Sequence, residues 1–299
     1  MDIVHHVMIG GIGMLYGIAV GEPHAGAAFL LGSAIPDLDV LAMLLGRRRY
    51  LAIHQGPTHS LLVAPLLALG TILLMAVLTG DRDGFLAWLP FMAALGGLVM
   101  HSGLDLANTF GIRPLWPWGP RMALDATFFI DVPTLCLTAF TLASMLVGTA
   151  SPQVLVGSYL VLLVAYVAGR LVLHRRARRI LGADTLLPSG TNPLVGFHTR
   201  TVSQGIQHGT ASLLTGRVIR QEVLPDPDPV TVALVEASPA FRDLSRVLRR
   251  LVPTRVSRRQ GGITRIVAED IAVPHFGSGF GRVTMDFRDG VLVGEHARI

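Results

Sequence analysis

Seven residues of metal-binding type stand in four short groups along the chain: His6; Asp37 and Asp39 in Ile35-Pro-Asp-Leu-Asp-Val40; His54 and His59 in His54-Gln-Gly-Pro-Thr-His-Ser60; and His101 and Asp105 in His101-Ser-Gly-Leu-Asp105. Imidazole nitrogens and carboxylate oxygens are ordinary zinc ligands at about 2.0–2.2 Å, and a carboxylate can also bridge two ions. His101 and Asp105 are four apart, so on a helix they project from one face with Cβ atoms about 5–6 Å apart. Asp37 and Asp39 flank a single residue just after Pro36, and a helix that breaks there would let both carboxylates enter one cavity. Each group has a plainer reading when taken alone: a helix-packing hydrogen bond for His101 and Asp105, a turn with capping carboxylates for Asp37 and Asp39, solvated loop imidazoles for His54 and His59. Their convergence on one face of a membrane points to a divalent metal site.

The elements that must carry these residues are apolar. Of 299 residues 51% are hydrophobic and 15% charged, against roughly 25% charged in soluble domains, and the mean hydropathy is +0.54. Stretches near the 20 residues needed to cross a bilayer run over 7–20, 25–45, 60–79, 85–107, 128–148 and 153–173. This predicts a polytopic transmembrane helical bundle of about six spans, mainly α. Arg47, Arg48 and Arg49 follow the second stretch, Arg113 and Arg121 the fourth, and Arg175, Arg176, Arg178 and Arg179 the sixth. The positive-inside rule therefore places these loops and both termini in the cytoplasm. All seven candidate ligands then belong to the cytoplasmic half of the membrane. An ionisable residue in a span costs about 3 kcal/mol on insertion scales, so such a cluster calls for a functional explanation. The N-terminus lacks the cationic start and small-residue cleavage site of a signal peptide. Cys136 lies in an apolar run and is expected to serve packing. His5 and His24 read as surface or interfacial groups, and Asp131 as a helix-terminus charge.

Past Arg179 the pattern changes. Residues 185–299 read as a small cytoplasmic α+β domain after a 1–180 transmembrane domain. Phe241, Leu244, Val247, Leu248 and Leu251 recur at helical spacing and predict a helix over 238–251. Alternation over 282–287 and 291–293 around Asp289-Gly290 predicts a hairpin. There are 25 Arg and no Lys, but much of this charge flanks apolar segments, where it meets anionic head groups. Membrane lipid, and not nucleic acid, is the expected partner.

At these motifs the sequence resembles the YdjM-type family of membrane-bound metal-dependent hydrolases, some of them under LexA control. The matching pieces are Met1-Asp2 with His6 and Gly10, Gly32 through Pro36-Asp-Leu-Asp39, His54-Gln-Gly-Pro-Thr-His-Ser60, and His101-Ser-Gly-Leu-Asp105 running on to Pro114-Leu-Trp-Pro117. They cover about residues 1–180. The family is distantly similar to zinc-dependent phospholipase C and related nucleases, which cleave phosphoesters with clustered His and Asp ligands. The resemblance implies that His6, Asp37, Asp39, His54, His59, His101 and Asp105 hold one to three divalent ions, with zinc favoured by the imidazole content and Asp105 the candidate bridge. The usual His-Arg-Gly of the third motif reads His-Gln-Gly here. A phosphate contact would then fall to Arg47, Arg48, Arg49 or Arg113.

The expected activity is hydrolysis of a phosphoester by metal-activated water at the cytoplasmic face, with Asp37 or Asp39 as general base and a lipid or lipid-linked substrate. Trp116 and Trp118 suit the membrane interface. The rivals are an ion- or proton-coupled transporter, which would require ionisable groups along a whole pathway, and a non-catalytic membrane anchor or regulator with a structural metal.

Overall fold

The structure is a computed structural model that describes residues 3–46, 50, 54–245, 248–272 and 281–298. The chain divides into two compact units, Met1–Val172 with Pro188–Pro193, and Leu173–Leu187 with Leu194–Ile299. Arg47, Arg48, Arg49 and Val247 lie outside the described residues.

The first unit is helical: α1 (Ile3–Ala19), α2 (Pro23–Ala34), a 3-10 helix over Ile35–Leu45, a single 3-10 turn at Pro57–His59, α3 (Ala64–Thr79), the short α4 (Arg82–Phe85), α5 (Trp88–Ala107), α6 (Val132–Val147) and α7 (Pro152–Leu181) as far as Val172, its last residues counting with the second unit. Among the described residues, Pro23–Leu44, Trp88–Ala107 and Pro152–Leu181 are long and apolar enough to cross a membrane, while α1, α3 and α6 are apolar but shorter. Length thus supports three spans outright.

Two proline and glycine effects shape the site. Pro36 has no N–H to donate to the carbonyl four residues back, so the α-helical ladder stops there and the chain tightens into the 3-10 form that carries Asp37 and Asp39. Glycine lets α5 lie against α2: a Cβ on Gly97 would come within 2.8 Å of the Ser33 nitrogen. That approach, one turn before His101, brings the Ser33 carbonyl within reach of the imidazole. Around these contacts Ala28, Ala64, Ala68, Ile72, Ala94 and Leu98 form one buried cluster, and Ile9, Ile12, Leu104, Tyr159 and Leu163 another.

The second unit makes the chain a mixed helix-and-sheet protein. It holds two four-stranded sheets with strands in sequence order: β1 (Thr185–Pro188), β2 (Val195–Val202), β3 (Gly205–Ser212) and β4 (Val218–Leu224); and β5 (Leu251–Arg259), β6 (Ile263–Asp270), β7 (Arg282–Arg288) and β8 (Val291–Arg298). The β2–β3, β3–β4, β5–β6, β6–β7 and β7–β8 pairs are antiparallel. The Asp289-Gly290 hairpin forms as expected, with both residues at positive φ (49° and 80°), which a type I′ turn requires. The helix expected over 238–251 is not continuous. Before the sheet come α8 (Pro229–Ala237) and α9 (Pro239–Ser245), and Leu251 already starts β5, where it pairs with Asp270. The apolar spacing there reports burial of Leu244 and Leu248 from two different local structures.

Candidate metal centre

Asp37, His59, His101 and Asp105 bring one ligand atom each to within 4.8 Å of one another. Three elements supply them. Asp37 comes from the 3-10 helix after Pro36, His59 from the 3-10 turn that starts at Pro57, and His101 with Asp105 from successive turns of α5. His59, His101 and Asp105 are fully buried. His59 Nε2 lies 3.2 Å from Asp105 Oδ2 and 3.7 Å from Asp37 Oδ1, and His101 Nε2 lies 3.6 Å from each of the same two oxygens. Four ligands placed tetrahedrally about 2.1 Å from an ion would be about 3.4 Å apart. The observed spacings bracket that value.

The protonation pattern also fits a cation. His101 Nδ1 sits 2.7 Å from the Ser33 carbonyl oxygen, which can only accept, so Nδ1 carries the proton and Nε2 presents a lone pair to the cluster. Thr58 donates its hydroxyl to Asp39 Oδ2 (3.2 Å), leaving its oxygen to accept from His59 Nδ1 at 3.0 Å. His59 Nε2 therefore also points a lone pair inward, and the two Nε2 atoms face each other at 3.0 Å. Opposed lone pairs at that distance repel unless a positive centre is shared between them. Asp37 Oδ2 is buried with no hydrogen-bond partner among the described residues, an arrangement that burial makes costly unless a cation completes it. The donor set present thus suits a divalent ion.

The other three expected ligands stand around this group. His6 Nε2 is 3.2 Å from Asp105 Oδ1, and its ring stacks on His101 with centroids 3.6 Å apart. Asp39 is engaged by its neighbours: Oδ1 accepts from His54 Nδ1 at 2.9 Å, and Oδ2 from the Gln55 backbone N–H at 2.8 Å and from Thr58. His54 remains partly open, its side chain 27% exposed against 4% for Asp39. Tyr50 stacks on His54 with centroids 4.5 Å apart, and burial, helped by the charges of Asp39 and Asp37, pushes its phenol up to about 12.

Several supporting groups gave little sign of themselves in the sequence. Asn108 donates to Asp105 Oδ1 at 3.0 Å while its own oxygen accepts from the N–H groups of Phe110 and Gly111, so one amide fixes both the carboxylate and the following loop. Its place three residues past Asp105 was the available signal. Arg121 donates to Gln55 Oε1 at 2.7 Å and to the His54 carbonyl at 3.0 Å. A guanidinium therefore does stand at the loop whose motif arginine is replaced by Gln55, supplied from 66 residues away, whereas Arg113 is exposed. His5 is buried, contrary to the surface expectation, because Thr138 on α6 gives its Nε2 a partner at 2.8 Å. Cys136, expected to serve packing, lies on the exposed face of α6. His24 pairs with Asp81 at an exposed position. Asp131 caps α6, its carboxylate accepting from the Thr134 N–H and the Tyr166 hydroxyl.

Over 191 residues the chain is 27% identical to the protein YfhP of Bacillus subtilis (strain 168), itself described as uncharacterized; the match takes in 60% of this chain and spans about 55% of that relative's length. No solved structure matches. The model of the YdjM inner membrane protein family matches residues 1–177, and the chain belongs to that family.

Proposed function

We propose that the protein is a membrane-embedded, metal-dependent hydrolase that cleaves a phosphoester of a lipid or lipid-linked substrate. The observation that carries this is the convergence of Asp37, His59, His101 and Asp105 with their lone pairs directed at one another. A divalent ion held there, zinc by donor type, would supply Lewis acidity, offsetting charge on a phosphoryl oxygen and acidifying a water molecule. Ser33 and Thr58 fix the tautomers of His101 and His59. His6 and Asn108 fix Asp105. Asp39 holds His54 so that its other ring nitrogen is available to accept or return a proton, and this shifts the general-base role expected of Asp37 or Asp39 to His54. Arg121 sits where an anionic head group would approach the loop.

The arginine-bearing loops support a cytoplasmic position for this centre by the positive-inside rule. The shorter apolar helices α1, α3 and α6 would join the three long ones to give six crossings with both termini inside, and the sheet-bearing unit would be cytoplasmic. Among the described residues the buried ionisable side chains of the helical unit gather at one end of the helices, as an enzyme working on one leaflet requires and a conducting pathway does not.

The test is metal analysis of detergent-purified protein together with release of phosphate or head group from lipid extracts. Wild-type protein should bind close to a stoichiometric divalent ion and release product, and His101→Ala and Asp105→Ala should lose both. Full metal occupancy in both variants would remove the ligand assignment, and an occupied but inert wild type would point to a structural metal.

A further inference from the structure

A cavity of about 340 Å³ lies among α1, α2, α5 and α7, and its walls are apolar apart from Glu22 at one end. Its inner end lies within about one helical turn of residues of the metal centre. On α1 it begins at Ile9, one turn after His6; on α5 it begins at Met100, next to His101; and on α2 Phe29 lies one turn before Ser33. Tyr159 of α7 closes it near the same level, its hydroxyl 3.0 Å from the Thr138 oxygen that holds His5. From there the cavity follows the helices away from the centre as far as Val20, in the turn after α1, and Leu89 on α5. At 1.5 Å per residue the lining runs about 16.5 Å from Met100 to Leu89, and about the same from Ile9 to Val20. The two helices give independent and concordant lengths. Half of a hydrocarbon core of about 30 Å is the depth one acyl chain occupies, so the cavity is slightly longer than one leaflet is deep. Its volume spread over about 16.5 Å leaves an average cross-section of about 21 Å², room for one chain.

We propose that this cavity binds a single unbranched acyl chain of the substrate, placing the attached phosphoester at Asp37, His59, His101 and Asp105. The substrate class is accordingly a fatty-acyl glycerophosphate with its head at the centre and one chain drawn between the helices. The class of substrate rests on the hydrolase function proposed above, while chain binding itself does not. The occupant follows from chemistry: a slot of apolar side chains among three helices that are long enough to span the membrane offers nothing to water or to a polar ligand. The inner end of the slot also lies within about one helical turn of a polar cluster suited to a charged head.

The experiment uses a monoacyl glycerophosphate with a diazirine midway along its chain, photolysed with the full-length protein in phosphatidylcholine vesicles and mapped by peptide mass spectrometry. Labelling is expected between residues 9 and 20, in α1 and the turn after it, and between 89 and 100 of α5. Ala93→Phe and Val156→Trp, which narrow the slot from opposite sides, should each reduce it at least fivefold while leaving metal content intact. Head-group release is read in parallel. Cavity labelling without release leaves the chain site standing and removes the hydrolase function. Release with labelling spread over outward-facing residues, unchanged in both narrowed variants, overturns the chain site.

Discussion

His54 Nδ1 lies 2.9 Å from Asp39 Oδ1, and this bond separates two carboxylates that sequence places side by side. Asp37 turns to the metal cluster, whereas Asp39 spends both oxygens on His54, Thr58 and the Gln55 N–H. An imidazole held in this way by a carboxylate has a defined tautomer and a free second nitrogen.

His54→Gln is therefore expected to keep the bound metal and to lower the hydrolysis rate by about 10²–10⁴-fold, the usual yield of a positioned acid–base group. Metal content and kcat measured on the same preparation decide this. Loss of the ion in His54→Gln would instead make His54 a ligand.

Thr58→Val removes the hydroxyl that links His59 to Asp39. Partners that orient a ligand usually contribute about 10–100-fold in metal affinity. Competition with a chelator should show a loss in that range, and an unchanged affinity would mean that His59 does not bind through Nε2.

Arg170 is buried and reaches the carbonyls of Ala126, Ser189 and Pro193, with Asp131 at 3.9 Å. Removing one partner of such a buried pair typically costs about 3–5 kcal/mol. Arg170→Met should lower the thermal unfolding midpoint in detergent clearly, and Arg170→Lys should recover little because an ammonium cannot reach three carbonyls in a plane. Equal midpoints for Arg170→Met and wild type would rule out this clamp.

His198 in β2 is buried, and its Nδ1 has no hydrogen-bond partner among the described residues. Burial holds its imidazole below the ordinary value, with the nearby His208 adding to this and a backbone hydrogen bond to Gly209 opposing it. The unfolded chain binds a proton more readily, so this contribution to stability is complete above about 6.5 and declines as pH falls from there towards the depressed folded value. Amide exchange in β2 and β3 of the full-length protein should accelerate between pH 7 and pH 5 beyond the intrinsic rate change. His198→Gln should flatten that trend, and a trend that persists in the variant would assign it elsewhere.

Sequence by itself determined what depends on composition and on short-range geometry. Apolar stretches marked the membrane helices. The four-residue spacing of His101 and Asp105 set both on one face of α5, and Asp289-Gly290 set the last hairpin, since helical rise and turn conformation are local. Helical spacing over 238–251 misled because apolar positions can recur across a helix, a turn and the start of a strand. The tertiary structure decided which side chains meet. His59 and His101 are 42 residues apart, and their approach depends on glycine-mediated packing of α2 on α5 and on the halt that Pro36 imposes on the helix. The Ser33 carbonyl that fixes the tautomer of His101 belongs to the backbone, which no residue type announces. Arg121 reaches Gln55 only because the loop after α5 folds back over the third motif.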